Sequence, residues 1–286
     1  MPPETVASAR QANERLIVAK GFVPRQLLLR IVSALIMAPI ALAAVYVGNY
    51  WLASFALLVG TVGTYEWNNM SGVSSKLLTV TNAIIFIIAL GAYQRDMVSE
   101  SLLAIFVGAA ICGAISRIRG KSIIWPLWGQ LYIGLAIISI VWLQDVYGWQ
   151  AVVWLLLIIW AMDIGAYFAG SSIGGPKLAP KASPNKTWSG LIGGALSACL
   201  ISWLAGTYLE VAGITTLIIA GFSLALWSQL GDIAESLIKR HFGVKDSGAI
   251  IPGHGGVLDR IDSLLFTLPI LVGGLLLWPN FLIPNG

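Results

Sequence analysis

Charge is scarce in this sequence: of 286 residues only 10% are Asp, Glu, Lys or Arg, against roughly a quarter in ordinary soluble domains. That is too little to cover the surface of a 30.5 kDa globule, so a water-soluble fold is excluded. Cysteine is scarce too. Cys112 and Cys199 both lie in apolar stretches, which excludes a disulfide scaffold and reads as two small buried side chains. What is abundant is apolar: 57% hydrophobic residues, 31 Gly, 12 Trp and a mean hydropathy of +0.83, the composition of lipid-embedded helices. The net charge of +4 is scattered among apolar runs, so its partner is the lipid bilayer and its anionic head groups, and no nucleic acid is expected.

A transmembrane helix needs about 20 apolar residues to cross about 30 Å of hydrocarbon. Nine stretches qualify, with cores at 27–47, 51–67, 77–93, 101–115, 123–143, 149–169, 188–209, 214–231 and 263–283. The expected fold is therefore an all-α integral membrane protein, a polytopic bundle of about nine transmembrane helices with a cytoplasmic N-terminus. Basic residues test the count independently: with that orientation, 16 of the 17 Lys and Arg fall on the inside and only Arg95 falls outside. Trp51, Trp67, Trp125, Trp128 and Trp142 lie near span ends, where interfacial anchors belong. The chain divides into a cytoplasmic arm over 1–26, about five helices over 27–143, and a C-terminal region over 149–286 with cytoplasmic loops at 170–187 and 232–262.

Carboxylates gather where neither lipid contact nor packing requires them. Asp232 and Glu235 are three apart, as are Asp259 and Asp262; on helices each pair shares one face. Two such pairs at the inner mouths of adjacent spans suit Mg²⁺, a hard cation that takes a few carboxylate oxygens and fills its shell with water and phosphate. Gly255 and Gly256 allow close backbone approach to an anion, while Lys239, Arg240, Lys245 and Arg260 offer counter-charge. His254 stands among the glycines as a structural or catalytic group. A second cluster holds Asp163, which interrupts an apolar run, followed by Lys177, Lys181, Ser183, Lys186 and Thr187 at the inner interface. Glu66, near the inner end of the second span, is a buried partner or an interfacial charge.

Together these residues resemble the phosphatidate cytidylyltransferases, also called CDP-diacylglycerol synthases. The likeness runs through Ser236, Lys239-Arg240, Lys245-Asp246, His254-Gly255-Gly256 and Asp259-Arg260-Ile261-Asp262, and extends to Leu178-Ala179-Pro180-Lys181 and Asp163-Ile164-Gly165, where Ile164 replaces an expected hydroxyl residue. The resemblance implies transfer of a cytidylyl group from CTP to phosphatidate, yielding CDP-diacylglycerol and pyrophosphate, with Mg²⁺ as cofactor and a second metal ion left open. It implies Asp232, Glu235, Asp259 and Asp262 at the metals and Asp232, Asp259, Lys239 and Arg260 in catalysis. Lys177, Lys181, Ser183, Lys186, Thr187, Arg240, Lys245, Asp246, His254, Gly255 and Gly256 would meet the substrates. A multi-pass protein of the bacterial inner or plasma membrane follows, with a cytoplasmic active site and a polar funnel lined by spans six to nine; homo-oligomerisation is left open. A related lipid kinase of the polyprenol type and a transporter are the rival readings, the latter disfavoured because the charges sit at one interface and not at the midplane.

Overall fold

The computed structural model describes residues 25–253 and 255–282. It is a helical bundle, ordered α1 (Arg25–Val47), α2 (Asn49–Met70), α3 (Lys76–Tyr93), α4 (Val98–Ile118), α5 (Ile124–Ile173), α6 (Trp188–Tyr208), α7 (Ile214–His241) and α8 (Leu258–Leu277). Between α5 and α6 lies an antiparallel hairpin of β1 (Lys177–Ala179) and β2 (Ser183–Thr187), a departure from the all-helical expectation. Among the described residues six helices, α3 to α8, are long and apolar enough to cross a membrane. The stretches over 27–47 and 51–67 are also helical but fall outside those six; α2 is diluted by Gly60, Thr61, Gly63, Thr64, Glu66, Asn68 and Asn69.

The spans expected at 123–143 and 149–169 form one helix of 50 residues broken at Gly148, whose φ of 78° lies in the left-handed region that a side chain resists. α5 is the centre of the bundle, packing on α6, α4, α2 and α8. Its buried Ile133, Trp154, Leu155 and Ile158 meet Leu52 of α2, Phe86 of α3, Leu217 of α7 and Leu258 of α8 in a single core. The outside is apolar as well: Leu77, Val80, Ile84, Ile87 and Ile88 of α3 all face outward, where a lipid-embedded helix places them.

Inside the bundle several buried polar groups pair across helices, as a medium without water favours. The Trp154 indole donates to the Ser202 carbonyl, and the Ser202 hydroxyl to the Leu217 carbonyl. Trp51 and Trp128 are exposed as anchors would be, but Trp67 is buried and donates to the Trp125 carbonyl, so it belongs to the core. Cys112 is buried against Asn82, whereas Cys199 is only partly covered.

Small residues let α6 approach the second arm of α5 closely. A Cβ on Gly194 would stand 2.7 Å from the Met162 carbonyl oxygen, a backbone atom that cannot move aside, whereas one on Gly273 would meet nothing within 4 Å. Gly194→Ala should therefore lose about 1–3 kcal/mol by overpacking, read as a lower thermal midpoint in detergent micelles. Gly273→Ala should leave the midpoint unchanged or raise it.

Candidate active site

The stretch expected as a long loop over 232–262 is shorter than that. α7 continues through His241 and α8 begins at Leu258, so the candidate carboxylates sit on helices and only the link between them is irregular. On the last turns of α7, helical spacing lines up Asp232, Glu235, Ser236 and Lys239; the first turn of α8 carries Asp259, Arg260 and Asp262. The Ser236 hydroxyl donates to Asp232 Oδ1 at 3.3 Å.

Lys239 ties the two helix ends together. Its ammonium lies 3.3 Å from Glu235 Oε1 and 2.8 Å from Asp259 Oδ1, and both its side chain and that of Glu235 are almost entirely buried, at 9% and 1% exposure. Asp259 Oδ2 accepts from the Ser247 amide at 2.9 Å, the Ser247 hydroxyl at 3.0 Å and the Gly256 amide at 2.9 Å. The N–H expected to meet a substrate phosphate, that of Gly256, is thus given to Asp259.

A second carboxylate completes the loop's support. Glu66 of α2, 1% exposed, accepts from the Val257 amide at 3.0 Å and the Leu258 amide at 2.9 Å, with the Ser247 hydroxyl at 3.4 Å. Gly248 and Gly256 crowd against it: a Cβ on either would fall 2.5 Å and 2.7 Å from its oxygens. Glu66 therefore caps the first amides of α8 from another helix, where the helix dipole favours an anion. No spacing within α2 points to this role, since its partners lie some 190 positions along the chain; the only signal was a carboxylate in an apolar span.

The hairpin brings a third group. Lys186 of β2 pairs with Asp232 at 2.5 Å, and Arg240 reaches the Ala182 carbonyl at 3.4 Å and the Val244 carbonyl at 3.1 Å, fastening hairpin to helix. Thr187, buried, spends its hydroxyl as the N-cap of α6, accepting from the Gly190 amide at 3.1 Å. Ser183 is half-buried on β2, while Lys177, Lys181, Lys245 and Asp246 are exposed around the site. His254 lies outside the described residues. Asp163 of α5 and Asp262 feel each other and Asp232 electrostatically, with Lys186 and Arg260 the opposing charges on Asp163.

The donor set suits a hard divalent cation. It is all oxygen, and Glu235 Oε2 is buried with no hydrogen-bond partner, an orphan acceptor of the kind a cation satisfies. Among the described residues no three acidic, His or Cys side chains converge on one point, because Lys186 and Lys239 stand between the carboxylates. The expected funnel differs in part: the cavity that opens on Asp163, Arg260 and Asp262 is lined by the expected sixth and ninth spans, the second arm of α5 and α8, but α1, α2 and the first arm of α5 line it in place of α6 and α7.

A polytopic helical bundle with paired carboxylates and lysines at one set of helix ends defines a membrane-embedded enzyme of charged substrates. The chain belongs to the cytidylyltransferase family, whose profile matches residues 28–277. It is 36% identical over 252 residues to a phosphatidate cytidylyltransferase of Brucella suis biovar 1 (strain 1330), covering 85% of this chain and 90% of that one. It is 34% identical over 267 residues to the protein of the same name from Pseudomonas aeruginosa, covering 87% and 96%, and 32% identical over 258 residues to that of Bacillus subtilis (strain 168), covering 85% and 95%.

Glu66→Gln keeps the side chain's shape but turns one acceptor oxygen into a donor facing backbone N–H groups. The expected loss is about 1–3 kcal/mol of stability, measured by denaturation in detergent, with faster hydrogen exchange at the Val257 and Leu258 amides. An unchanged exchange rate at those two amides would show that Glu66 does not hold them.

Proposed function

We propose that this protein is a phosphatidate cytidylyltransferase, converting CTP and phosphatidate to CDP-diacylglycerol and pyrophosphate at the cytoplasmic face of a bacterial inner membrane. The observation that carries the reading is the gathering of two sets of ion pairs at the same helix ends, Lys186 with Asp232 and Lys239 with Glu235 and Asp259, in a chain whose relatives of that name match 85–87% of it.

In this reading a phosphate oxygen of phosphatidate attacks the α-phosphorus of CTP; the new P–O bond forms as the bond to the β-phosphate bridging oxygen breaks, and pyrophosphate leaves with that electron pair. Phosphatidate is already ionised near neutral pH, so no side chain need remove a proton. Two anions must instead be held in line, and positioning with charge neutralisation lowers most of the barrier. Lys186, Lys239 and Arg260 supply positive charge at the reacting centre, and Lys177, Lys181 and Lys245 surround it for the triphosphate and head group. Arg240 and Thr187 serve by fixing the hairpin that bears Lys186. Mg²⁺, when bound, would neutralise phosphate charge, held by Asp232, Glu235, Asp262 and Asp259, the last while also supporting Ser247 and Gly256.

Nine crossings with the N-terminus inside fit this chemistry. Counting α1, α2 and the two arms of α5 as separate crossings gives nine segments, and the basic residues then gather on the side where cytosolic CTP is met. The arm expected over 1–26 lies outside the described residues up to Arg25; in this reading the helices over 27–143 and the region over 149–286 are the two further divisions, joined by Glu66.

Purified protein given labelled CTP, phosphatidate and Mg²⁺ should yield a lipid-soluble cytidine product and free pyrophosphate. A chelator should abolish the product, and added Mg²⁺ should restore it. Asp232→Asn should lower kcat by about 10²–10³-fold with the protein still folded by its thermal midpoint; near-normal turnover would refute the role of Asp232. Phosphorylated diacylglycerol or polyprenol in place of a cytidine lipid would refute the reaction itself.

A further inference from the structure

α1, α2, both arms of α5 and the start of α8 line a partly open cavity of about 280 Å³. Small side chains make the room: Ala38 and Ala41 of α1, Ala56 of α2 and Ala136 of α5 all line it. Along α1 it runs from Met37 to Val45, a stretch of about 12 Å at the helical rise. The wall is apolar throughout except at one end, where Asp163, Arg260 and Asp262 face in. Arg260 forms no salt bridge among the described residues, although Asp163 feels its charge, so its guanidinium can turn to an anion brought to that end.

An apolar cavity of about 150 Å³ is enough to hold benzene, so this one accepts a longer hydrocarbon. Left empty, its lining would forfeit dispersion contacts on every side. A soluble anion would satisfy Arg260 and leave the slot void; a plain hydrocarbon would fill the slot and leave the guanidinium idle. An amphiphile with a hydrocarbon tail and an anionic head matches the apolar wall and Arg260 together, and Asp262 of the candidate active site lies at the same mouth.

We propose that this cavity receives an acyl chain of the lipid substrate, its phosphate at Arg260, so that α1 and α2 set which chain lengths the enzyme accepts. The inference rests on the phosphatidate reading above. α1 and α2 contribute no residue to the ion pairs, Glu66 of α2 serving to cap α8, and they thereby gain a direct part in selecting the substrate.

Ala41→Phe, which fills the slot, and Phe55→Ala, which enlarges it from another helix, test this with phosphatidates of graded chain length. Ala41→Phe should lower kcat/KM for long chains relative to short ones by about fourfold for each methylene kept out. Phe55→Ala should shift preference the other way, and the KM for CTP should hold in both. Cytidine lipid formed with the wild-type length preference in both variants would overturn the acyl slot while leaving the reaction intact. No cytidine lipid from any phosphatidate, even with the unaltered chain, would overturn the underlying reading and the slot with it. Should either variant fail to fold, the unaltered protein decides: its thermal midpoint in detergent should rise with phosphatidate chain length to a plateau, and a rise independent of length would overturn the proposal.

Discussion

The placement of Lys239 between Glu235 and Asp259 governs the rest of the arrangement. A lone ammonium or carboxylate at this depth would be prohibitive, and removing one member of a buried pair typically costs about 3–5 kcal/mol because the other charge is stranded. Lys239 therefore joins the last turn of α7 to the first turn of α8 and fixes the distance between the two carboxylate pairs. Asp232 is held separately, by Lys186 reaching over from the hairpin. The resting site thus sets three carboxylates against two lysines and keeps a surplus of negative charge.

Rigidity of the link between α7 and α8 depends on a residue from far away in the chain. Glu66 accepts the first amides of α8 and touches Ser247, which in turn donates to Asp259. The glycines at 248 and 256 are needed because a side chain there would collide with Glu66, which explains their presence without invoking direct phosphate contact. Consequently the N-terminal helices are part of the site's construction. They supply the anion that caps α8 and two walls of the cavity beside it.

Much of this was legible in the residues themselves. The three-residue spacing of Asp232 with Glu235, and of Asp259 with Asp262, places each pair on one helical face wherever a helix forms, and helices did form there. Other roles were not legible, for a definite reason. In the sequence Thr187 is a candidate for the CTP or lipid head group, and that its hydroxyl also caps α6 is told only by the start of that helix at Trp188. Trp67 looked like an interfacial anchor by its place near a span end, but it is buried against Trp125. The hairpin over 177–187 gave little signal, because its short strands are held by ion pairs and loop contacts and show no alternation of apolar residues.

By itself the sequence determined the lipid-embedded character of the chain, the grouping of its basic residues and the oxygen-rich chemistry of one end of the bundle, since hydropathy, charge and helical spacing are local quantities. Tertiary structure alone decided which charges meet. The pairing of Lys186 with Asp232, the capping of α8 by Glu66 and the walling of the cavity by α1 join residues far apart in the chain, and such contacts are set by how helices pack, which no single stretch of residues encodes.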